Sequence, residues 1–464
     1  MQDKTYHEGT SSAYSSVLKN PGFLNLWINQ ILVQFAYNSL NFALILWIFY
    51  LTDSNTAIAA LLFAVYLPAF LFGVFSGIIV DLADKKKIIL TIDLILSFLF
   101  AALIPLKMYF PAILVLTFLI NSLVQFFLPS ESSSLPKLVK KNQLFMANSL
   151  FSTTLFTMFL IGFGLSGPMV SFFGIDFVFA IGAGALFLAF VLANKFPSIT
   201  TKLDADASQL RNAILTKNIT DGWEVAKSEV KATMQIIRGR LSVASSLLLL
   251  ASVQAVVGVL AVLLPSFLER VLQINATNAS YIVVIPLGIG MVIGALLLGK
   301  IGHLFSRRMI VGRAVLVAGT LLLLVGAAPL LSPAVQHFPK PKPLPFIHQP
   351  SLSTVMALGS LLLGMAVVSI IIPSQTVLQE STKEEDRGKI FGVLVALMSG
   401  FSLPPILFAG ILSDIFGTMP IFIGLGGAIS LLGLLILKPD FFFEEAHLPF
   451  KFREFLGLGH WEKG

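Results

Sequence analysis

The fold is decided by a charged turn, Gly77-Ile-Ile-Val-Asp81-Leu-Ala-Asp84-Lys85-Lys86-Lys87, that lies between two apolar runs, residues 57–80 and 88–106. A helix needs about 20 apolar residues to cross a bilayer, and both runs are long enough. Because loops rich in Lys and Arg stay on the cytoplasmic side, the three lysines place the turn there. The stretch therefore predicts two membrane-spanning helices joined by a cytoplasmic turn, and this orients the rest of the chain.

The composition of the whole chain indicates a membrane protein. Of its 464 residues, 56% are hydrophobic and 12% are charged, which is too apolar for a water-soluble protein of this size. The formal net charge of +7 fits a membrane orientation signal better than a nucleic-acid partner. The chain has no cysteine, which excludes disulfides, thiolate metal sites and cysteine nucleophiles. Its polar start runs directly into a long apolar run, so we expect the first helix to be retained rather than cleaved.

Apolar runs of membrane length occur twelve times along the chain. They lie at residues 23–51, 56–80, 88–106, 111–134, 144–172 and 176–194, and then at 241–268, 277–299, 309–331, 351–379, 388–416 and 419–437. This pattern predicts an all-α membrane protein with twelve transmembrane helices in two pseudo-symmetric six-helix bundles, residues 23–194 and 241–437. A weak internal repeat supports the two halves, because Pro129-Ser130 ends the fourth run and Pro373-Ser374 ends the tenth.

Three polar segments complete the organisation: an N-terminus at 1–22, a linker at 195–240 and a tail at 438–464. In the linker, Asp221 is a predicted N-cap with Glu224 at the N3 position, and together they predict the start of an amphipathic helix. Its basic residues predict that it lies on the cytoplasmic membrane surface, and a regulatory protein-binding helix is the alternative. We expect the tail to behave in the same way.

The distribution of basic residues tests this topology. Of the 31 Lys and Arg residues, all but four fall on the predicted cytoplasmic side, and the four are Lys107, Arg270, Lys340 and Lys342. A wrong number of spans would scatter the basic residues over both sides, so the asymmetry supports the twelve spans and cytoplasmic N- and C-termini. We expect a multi-pass protein of the plasma membrane that works as a monomer.

Uncharged polar side chains are concentrated on particular spans. The first span carries a stripe of four amides on one helix face, Gln30, Gln34, Asn38 and Asn41. Further amides lie on the fourth, seventh and tenth spans: Asn121, Gln125, Gln254, Gln375 and Gln379. Amides are costly to expose to lipid, so they must face protein or water. Two interpretations stay open, a substrate cavity and hydrogen bonds between helices without any ligand.

Ionisable residues at membrane depth are few. Asp93 lies six residues past Lys87, which is about 9 Å along a helix. Glu131 and Glu380 follow the prolines near the ends of the fourth and tenth runs. Intramembrane carboxylates are candidates for proton transfer, although a structural pair is the alternative for Asp93. All six histidines fall in loops or tails and no phosphate-binding loop occurs, so we expect no metal, no cofactor, no ATP hydrolysis and no enzymatic activity.

The charged turn resembles the loop between helices 2 and 3 of the major facilitator superfamily, G-x-x-x-D-R-x-G-R followed by two basic residues. Gly77, Asp81 and the three lysines match this pattern, whereas Leu82 replaces its arginine and Asp84 its second glycine. The resemblance implies alternating access around a cavity between the two halves, lined by helices 1, 4, 7 and 10. It also implies that Asp81 acts as a latch against the start of helix 11, near Arg387 and Gly388.

Two further motifs resemble particular branches of that superfamily. The fifth span carries glycines and a proline that resemble the antiporter signature: Gly162, Gly164, Gly167 and Pro168. Residues 129–149 and 379–389 resemble the macrolide and multidrug efflux branch and its siderophore-exporter relatives. We therefore expect export of a hydrophobic or amphipathic compound in exchange for protons. The alternatives are a lysophospholipid flippase of the same superfamily and a membrane receptor or scaffold that transports nothing.

Overall fold

The computed structural model describes residues 17–140, 143–195, 241–336, 352–380 and 384–437. The predicted linker helix, the predicted amphipathic tail and two of the four external basic residues, Lys340 and Lys342, lie outside the described residues. Asp81, Arg387 and Gly388 belong to helices, but the structure does not describe the surroundings of their side chains.

The described residues form twelve helices that are long and apolar enough to cross a membrane, and they contain no β-strand. The first six helices are α1 (Pro21–Thr52), α2 (Asn55–Leu82), α3 (Lys85–Leu106), α4 (Phe110–Leu138), α5 (Leu144–Phe173) and α6 (Ile175–Ala193). The second six are α7 (Leu241–Ser266), α8 (Ile285–Ile301), α9 (Arg307–Gln336), α10 (Leu352–Glu380), α11 (Glu384–Phe416) and α12 (Thr418–Leu437). The predicted all-α fold with twelve spans is confirmed. The start of α8, Ile285, lies eight residues after the start of its apolar run, and all other helix ends lie within five residues of theirs.

The connection between α7 and α8 contains short irregular helical turns. The last turn after α7, Phe267–Val271, is π-helical, and a second π-helical turn, Ser280–Val284, precedes α8. Between these turns lies a short 3-10 helix, Ala276–Asn278, whose N-cap is Asn275. The Asn275 side chain accepts a hydrogen bond from the Thr277 amide at 2.9 Å, which satisfies one unpaired donor at this helix start.

The chain divides into two compact units. The first contains residues 1–44 and 64–230, and the second contains residues 45–63 and 231–464. Residues 45–63, the end of α1 and the start of α2, belong to the second unit. Helices α1 and α2 therefore each run through both units.

Within the second unit, α8 and α10 cross at small residues. A Cβ atom on Gly290 would overlap the Leu361 carbonyl, 2.7 Å from its carbon, and a Cβ atom on Gly364 would overlap the Leu287 carbonyl, 2.8 Å from its carbon. Without hydrophobic attraction between spans in lipid, such close backbone contact is a main source of helix association. The two glycines therefore hold α8 and α10 at a distance that no larger residue allows.

Candidate functional site

A buried polar cluster joins three helices of the first unit. The Asn29 side chain on α1 donates one hydrogen bond to Asp93 Oδ2 on α3 at 2.6 Å and a second to the Ala189 carbonyl on α6 at 3.1 Å. Asn29 and Asp93 are fully buried. Among the described residues, the other side-chain oxygens, Asn29 Oδ1 and Asp93 Oδ1, accept no hydrogen bond. The amide thus orients the carboxyl group and leaves one of its oxygens free.

Glu131 on α4 adds a second buried carboxyl group to this cluster. It is 3% exposed, and its Oε1 has no hydrogen-bond partner among the described residues. It lies close enough to Asp93 for the two groups to interact electrostatically. Lys107 pairs with Asp176, Arg270 with Asp53 and Arg307 with Glu380, and neither buried carboxyl group takes part in any of these ion pairs. A buried carboxylate without a cation is costly, and binding a proton removes that cost.

The amide stripe of α1 has two kinds of member. The Gln30 side chain donates a hydrogen bond to the Phe151 carbonyl on α5 at 3.2 Å, so it links two helices. Asn38 and Asn41 instead donate to carbonyl groups one turn back on α1, those of Gln34 at 2.8 Å and Tyr37 at 2.9 Å. The interpretation as hydrogen bonding between helices therefore applies to Gln30. The amides of Gln34, Asn38 and Asn41 remain candidates for a substrate cavity.

A hydrogen-bonded chain connects the stripe to α4. The Tyr37 hydroxyl donates to Asn121 Oδ1 at 2.8 Å, and the Asn121 amide donates to the Thr117 carbonyl at 2.8 Å. One turn further, the Gln125 amide reaches the Asn121 carbonyl at 3.4 Å. Asn121 is buried, whereas Tyr37 and Gln125 are half-buried. Asn41 of the first span and the two amides of the fourth span thus belong to one network, and Tyr37 joins them.

This division of the stripe can be measured by cysteine accessibility. The chain has no native cysteine, so Gln34→Cys, Asn38→Cys and Asn41→Cys each introduce a single thiol. If these positions face a water-filled cavity, we expect them to react faster with water-soluble thiol reagents than Phe98→Cys, whose parent side chain is 67% exposed on the apolar surface of α3. Gln30→Cys, at the position that links α1 to α5, serves as the second comparison. Equal reactivity at all five positions would show that the stripe is structural.

The predicted polar residues of the second unit differ in their surroundings. Gln254 on α7 is half-buried, whereas Gln375 and Gln379 on α10 are exposed. The Glu380 carboxylate forms a two-point ion pair with the Arg307 guanidinium on α9, at 2.7 and 2.9 Å. Because the Glu380 side chain is 55% exposed and paired, its setting differs from that of the two buried carboxyl groups of the first unit.

Side chains of the charged turn between α2 and α3 form hydrogen bonds at the ends of three helices. The Asp84 side chain accepts a hydrogen bond from the Lys86 amide at 3.0 Å and so caps the start of α3. Lys85 is buried, and its ammonium group donates to the Val80 carbonyl near the end of α2 at 3.1 Å. The Lys86 ammonium group donates to the Asn194 carbonyl after α6 at 2.8 Å, while Lys87 is exposed. Cations at carboxyl ends and an anion at an amino end each oppose the helix dipole favourably.

The glycine-rich motif of α5 lies against α1. A Cβ atom on Gly162 would come within 2.6 Å of the Asn38 Cβ atom, and the Ser166 hydroxyl donates to the Ser39 carbonyl at 2.7 Å. Gly164 and Gly167 are buried and Pro168 is half-buried within the same helix. Small residues here let α5 approach the polar face of α1 closely. The motif therefore has a packing role beside the stripe.

Comparison with known proteins decides the family. The family model described as Major Facilitator Superfamily matches residues 26–404, most of the chain. The chain belongs to the major facilitator superfamily. It is a multi-pass membrane transporter and not an enzyme.

The major facilitator relatives include two proteins of Bacillus subtilis (strain 168). The uncharacterized MFS-type transporter YfmI is 23% identical over 422 residues, covering 87% of this chain and 93% of the relative. The uncharacterized MFS-type transporter YfiS is 25% identical over 398 residues, covering 84% of this chain and 86% of the relative. Both support the family, and neither defines a substrate.

Solved major facilitator structures share the fold. A POT peptide transporter in complex with alafosfalin superposes with a TM-score of 0.67 at 13% identity, covering 92% of this chain and 97% of the other. The nucleoside transporter NupG superposes with a TM-score of 0.63 at 15% identity, covering 91% and 99%. At these identities the likeness concerns the fold alone.

Sequence analysis missed two residues whose side chains join distant parts of the chain. Asn29, the partner of Asp93, directly precedes Gln30 but lies about 100° around the helix from it, off the predicted stripe. Asp414 near the end of α11 is bonded to the turn between α1 and α2, 359 residues away. An acid next to a predicted loop was the available signal for Asp414, but nothing local indicated its partner.

Proposed function

We propose that this transporter exports a hydrophobic or amphipathic small molecule in exchange for protons. The observation that carries the proposal is the cluster of Asn29, Asp93 and Glu131, two buried carboxyl groups that share no ion pair with a described Lys or Arg. A carboxyl group in this setting is suited to gain and lose a proton during a cycle. Asp93 and Glu131 are therefore the proposed proton carriers, whereas the paired Glu380 is assigned to structure.

The substrate class rests on the character of the polar groups. The network of Tyr37, Asn121 and Gln125 and the amides of Asn38 and Asn41 offer neutral donors and acceptors among apolar side chains. Pockets of this composition bind apolar molecules and orient them with a few hydrogen bonds. The resemblance of residues 129–149 to the multidrug efflux branch supports the same class. A strongly charged substrate such as a nucleotide would need cationic partners.

Transport by the purified protein in lipid vesicles tests this function. Vesicles with an acidic lumen should accumulate ethidium, a permanently charged amphipathic dye, or the macrolide erythromycin, because protons leaving the lumen drive the compound inward. Protein-free vesicles measure passive trapping. Transport of a fluorescent lysophosphatidylcholine without any pH gradient would favour the flippase instead, and no saturable flux of any probe would favour a receptor or scaffold.

The predicted latch at Asp81 gives a further expected result. An anion at a helix amino end is stabilised by about 0.3 to 1 kcal/mol, and by about 2 kcal/mol when partly buried. If Asp81 meets the start of α11 near Arg387 and Gly388, Asp81→Asn should increase the inward-open population by up to about tenfold. Distances between spin labels on the predicted cytoplasmic ends of α2 and α11 measure this. An unchanged distance distribution would make Asp81 a solvated turn residue.

A further inference from the structure

The turn between α1 and α2 is bound to the far end of α11. Asp414 Oδ2 accepts hydrogen bonds from the Ser54 hydroxyl at 2.7 Å and the Thr56 amide at 2.9 Å. Asp414 Oδ1 accepts one from the Asn55 amide at 2.8 Å. All four residues belong to the second unit, in which residues 45–63 pack with the second half of the chain.

These bonds cap a helix from outside its own segment. The first amides of a helix have no partner within it, and they carry the positive end of the helix dipole. Ser54 precedes α2 and accepts a bond from the Ala57 amide at 3.3 Å, as a local N-cap does. The Asp414 carboxylate accepts hydrogen bonds from the first two amides of α2, those of Asn55 and Thr56. The start of α2 is therefore completed by a residue of α11.

Two further contacts hold the same turn. The Ser266 hydroxyl at the end of α7 donates to Asn55 Oδ1 at 2.6 Å, and both side chains are fully buried. The Arg270 guanidinium bonds the Asp53 carbonyl at 2.5 Å and its carboxylate at 2.6 Å. Asp53 adopts a left-handed φ of 48°, which Asp tolerates better than most residues. Arg270, one of the four basic residues on the predicted outer side, therefore has a defined partner.

Close packing accompanies these polar contacts. A Cβ atom on Gly410, one turn before Asp414, would lie 2.6 Å from the Ala59 Cβ atom and 2.9 Å from the Asn55 carbonyl oxygen. The turn thus fits against α11 only because position 410 has no side chain. Charge, hydrogen bonds and shape complementarity therefore all act at one small contact between the turn and α11.

We propose that Asp414 and residues 53–56 form an external latch, which holds the predicted outer end of the transporter closed and opens once in each transport cycle. It is the counterpart of the latch predicted at Asp81. An acid near the end of α2 would cap α11 on one side, and an acid near the end of α11 caps α2 on the other. The inference rests on transport by alternating access and is independent of the substrate and of protons.

Distances between two spin labels test the external latch on purified protein in lipid, without substrate or pH gradient. The labels replace Tyr50 and Phe416, which are 78% and 64% exposed near the two sides of the contact. In Asp414→Asn we expect the population with separated labels to rise about tenfold, because the charge and at least one of the three bonds are lost. Asp176→Asn, which removes an acid paired with Lys107 instead, should leave the distribution unchanged.

A second set of variants keeps the proposal falsifiable if Asp414→Asn does not fold. Ser54→Ala and Ser266→Ala each remove one hydrogen bond of the turn and should shift the distribution in the same direction by a smaller factor. Identical distributions in wild type and in every folded variant would overturn the latch. Because no flux is measured, failure of proton coupling would leave this result unaffected, and failure of the latch would leave the proposed proton coupling standing.

Discussion

Asp93→Asn should reduce transport driven by a pH gradient to the level of protein-free vesicles. The Asn29 amide holds the Asp93 carboxyl group in place, and the substituted amide can no longer carry a proton. Exchange of labelled for unlabelled substrate needs no net proton movement, so it should persist in the variant. We expect Glu131→Gln to show the same separation of driven flux from exchange if both groups take part in one transfer.

A surface carboxylate provides the matched control for this prediction. Asp176→Asn removes an acid from the same half of the chain, but one that is half-exposed and paired with Lys107. Its driven flux should equal that of wild type. Normal driven flux in both Asp93→Asn and Glu131→Gln would refute the assignment of protons to this cluster. Loss of exchange together with driven flux would indicate a structural role instead.

Gly364→Ala and Gly290→Ala should strongly destabilise the second unit. In each variant the new methyl group would overlap a backbone carbonyl of the opposing helix, that of Leu287 or Leu361, which cannot rotate away as a side chain can. Helices α8 and α10 would have to move apart along their length. Overpacking of this kind costs about 1–3 kcal/mol and occasionally more. We expect a clear fall in thermal stability, measured by loss of the monodisperse protein on heating.

The same two helices offer matched control glycines. A Cβ atom on Gly359 of α10 or on Gly299 of α8 would have no atom within 4 Å apart from its chain neighbours and its own helix backbone. Ala is favoured over Gly within a helix by about 0.5–1 kcal/mol, so Gly359→Ala and Gly299→Ala should keep or raise the stability. Equal stability of all four variants would show that the α8–α10 crossing relaxes freely.

The membrane fold was predictable because the bilayer imposes a strict length on apolar runs. The sixth span, for example, was predicted at residues 176–194 and is found at Ile175–Ala193. The π-helical turns around Phe267–Val271 and Ser280–Val284 were not predicted, because hydropathy does not distinguish one helical hydrogen-bond pattern from another. Local composition thus predicts where a span lies better than it predicts the backbone structure at the ends of the span.

The candidate site was predictable in its residue types but not in its pairings. Asp93 and Glu131 stand out in the sequence because charge is rare at membrane depth. The bond of Asp93 to Asn29 joins residues 64 positions apart, and that of Arg307 to Glu380 joins residues 73 apart. Which of several polar residues faces another depends on how the helices rotate and pack, and that information is spread over the whole interface.

Lys85 illustrates how a charge pattern can mark orientation and still hide a structural role. Three adjacent lysines are read as a cytoplasmic signal, yet Lys85 is buried and bonded to the Val80 carbonyl, while Lys87 is exposed. The flexible stem of Lys lets its charge fold back onto a helix end. The sequence alone offers no means to choose between neighbouring lysines.

The most direct test of proton-coupled export measures whether efflux of the substrate drives protons in the opposite direction. Vesicles containing the protein are loaded with ethidium at equal internal and external pH, with the membrane potential clamped by potassium and valinomycin. As ethidium leaves, an antiporter must carry protons inward, so we predict acidification of the lumen in wild type and none in Asp93→Asn. Saturable ethidium efflux through the wild-type protein with no change in lumen pH would contradict the account.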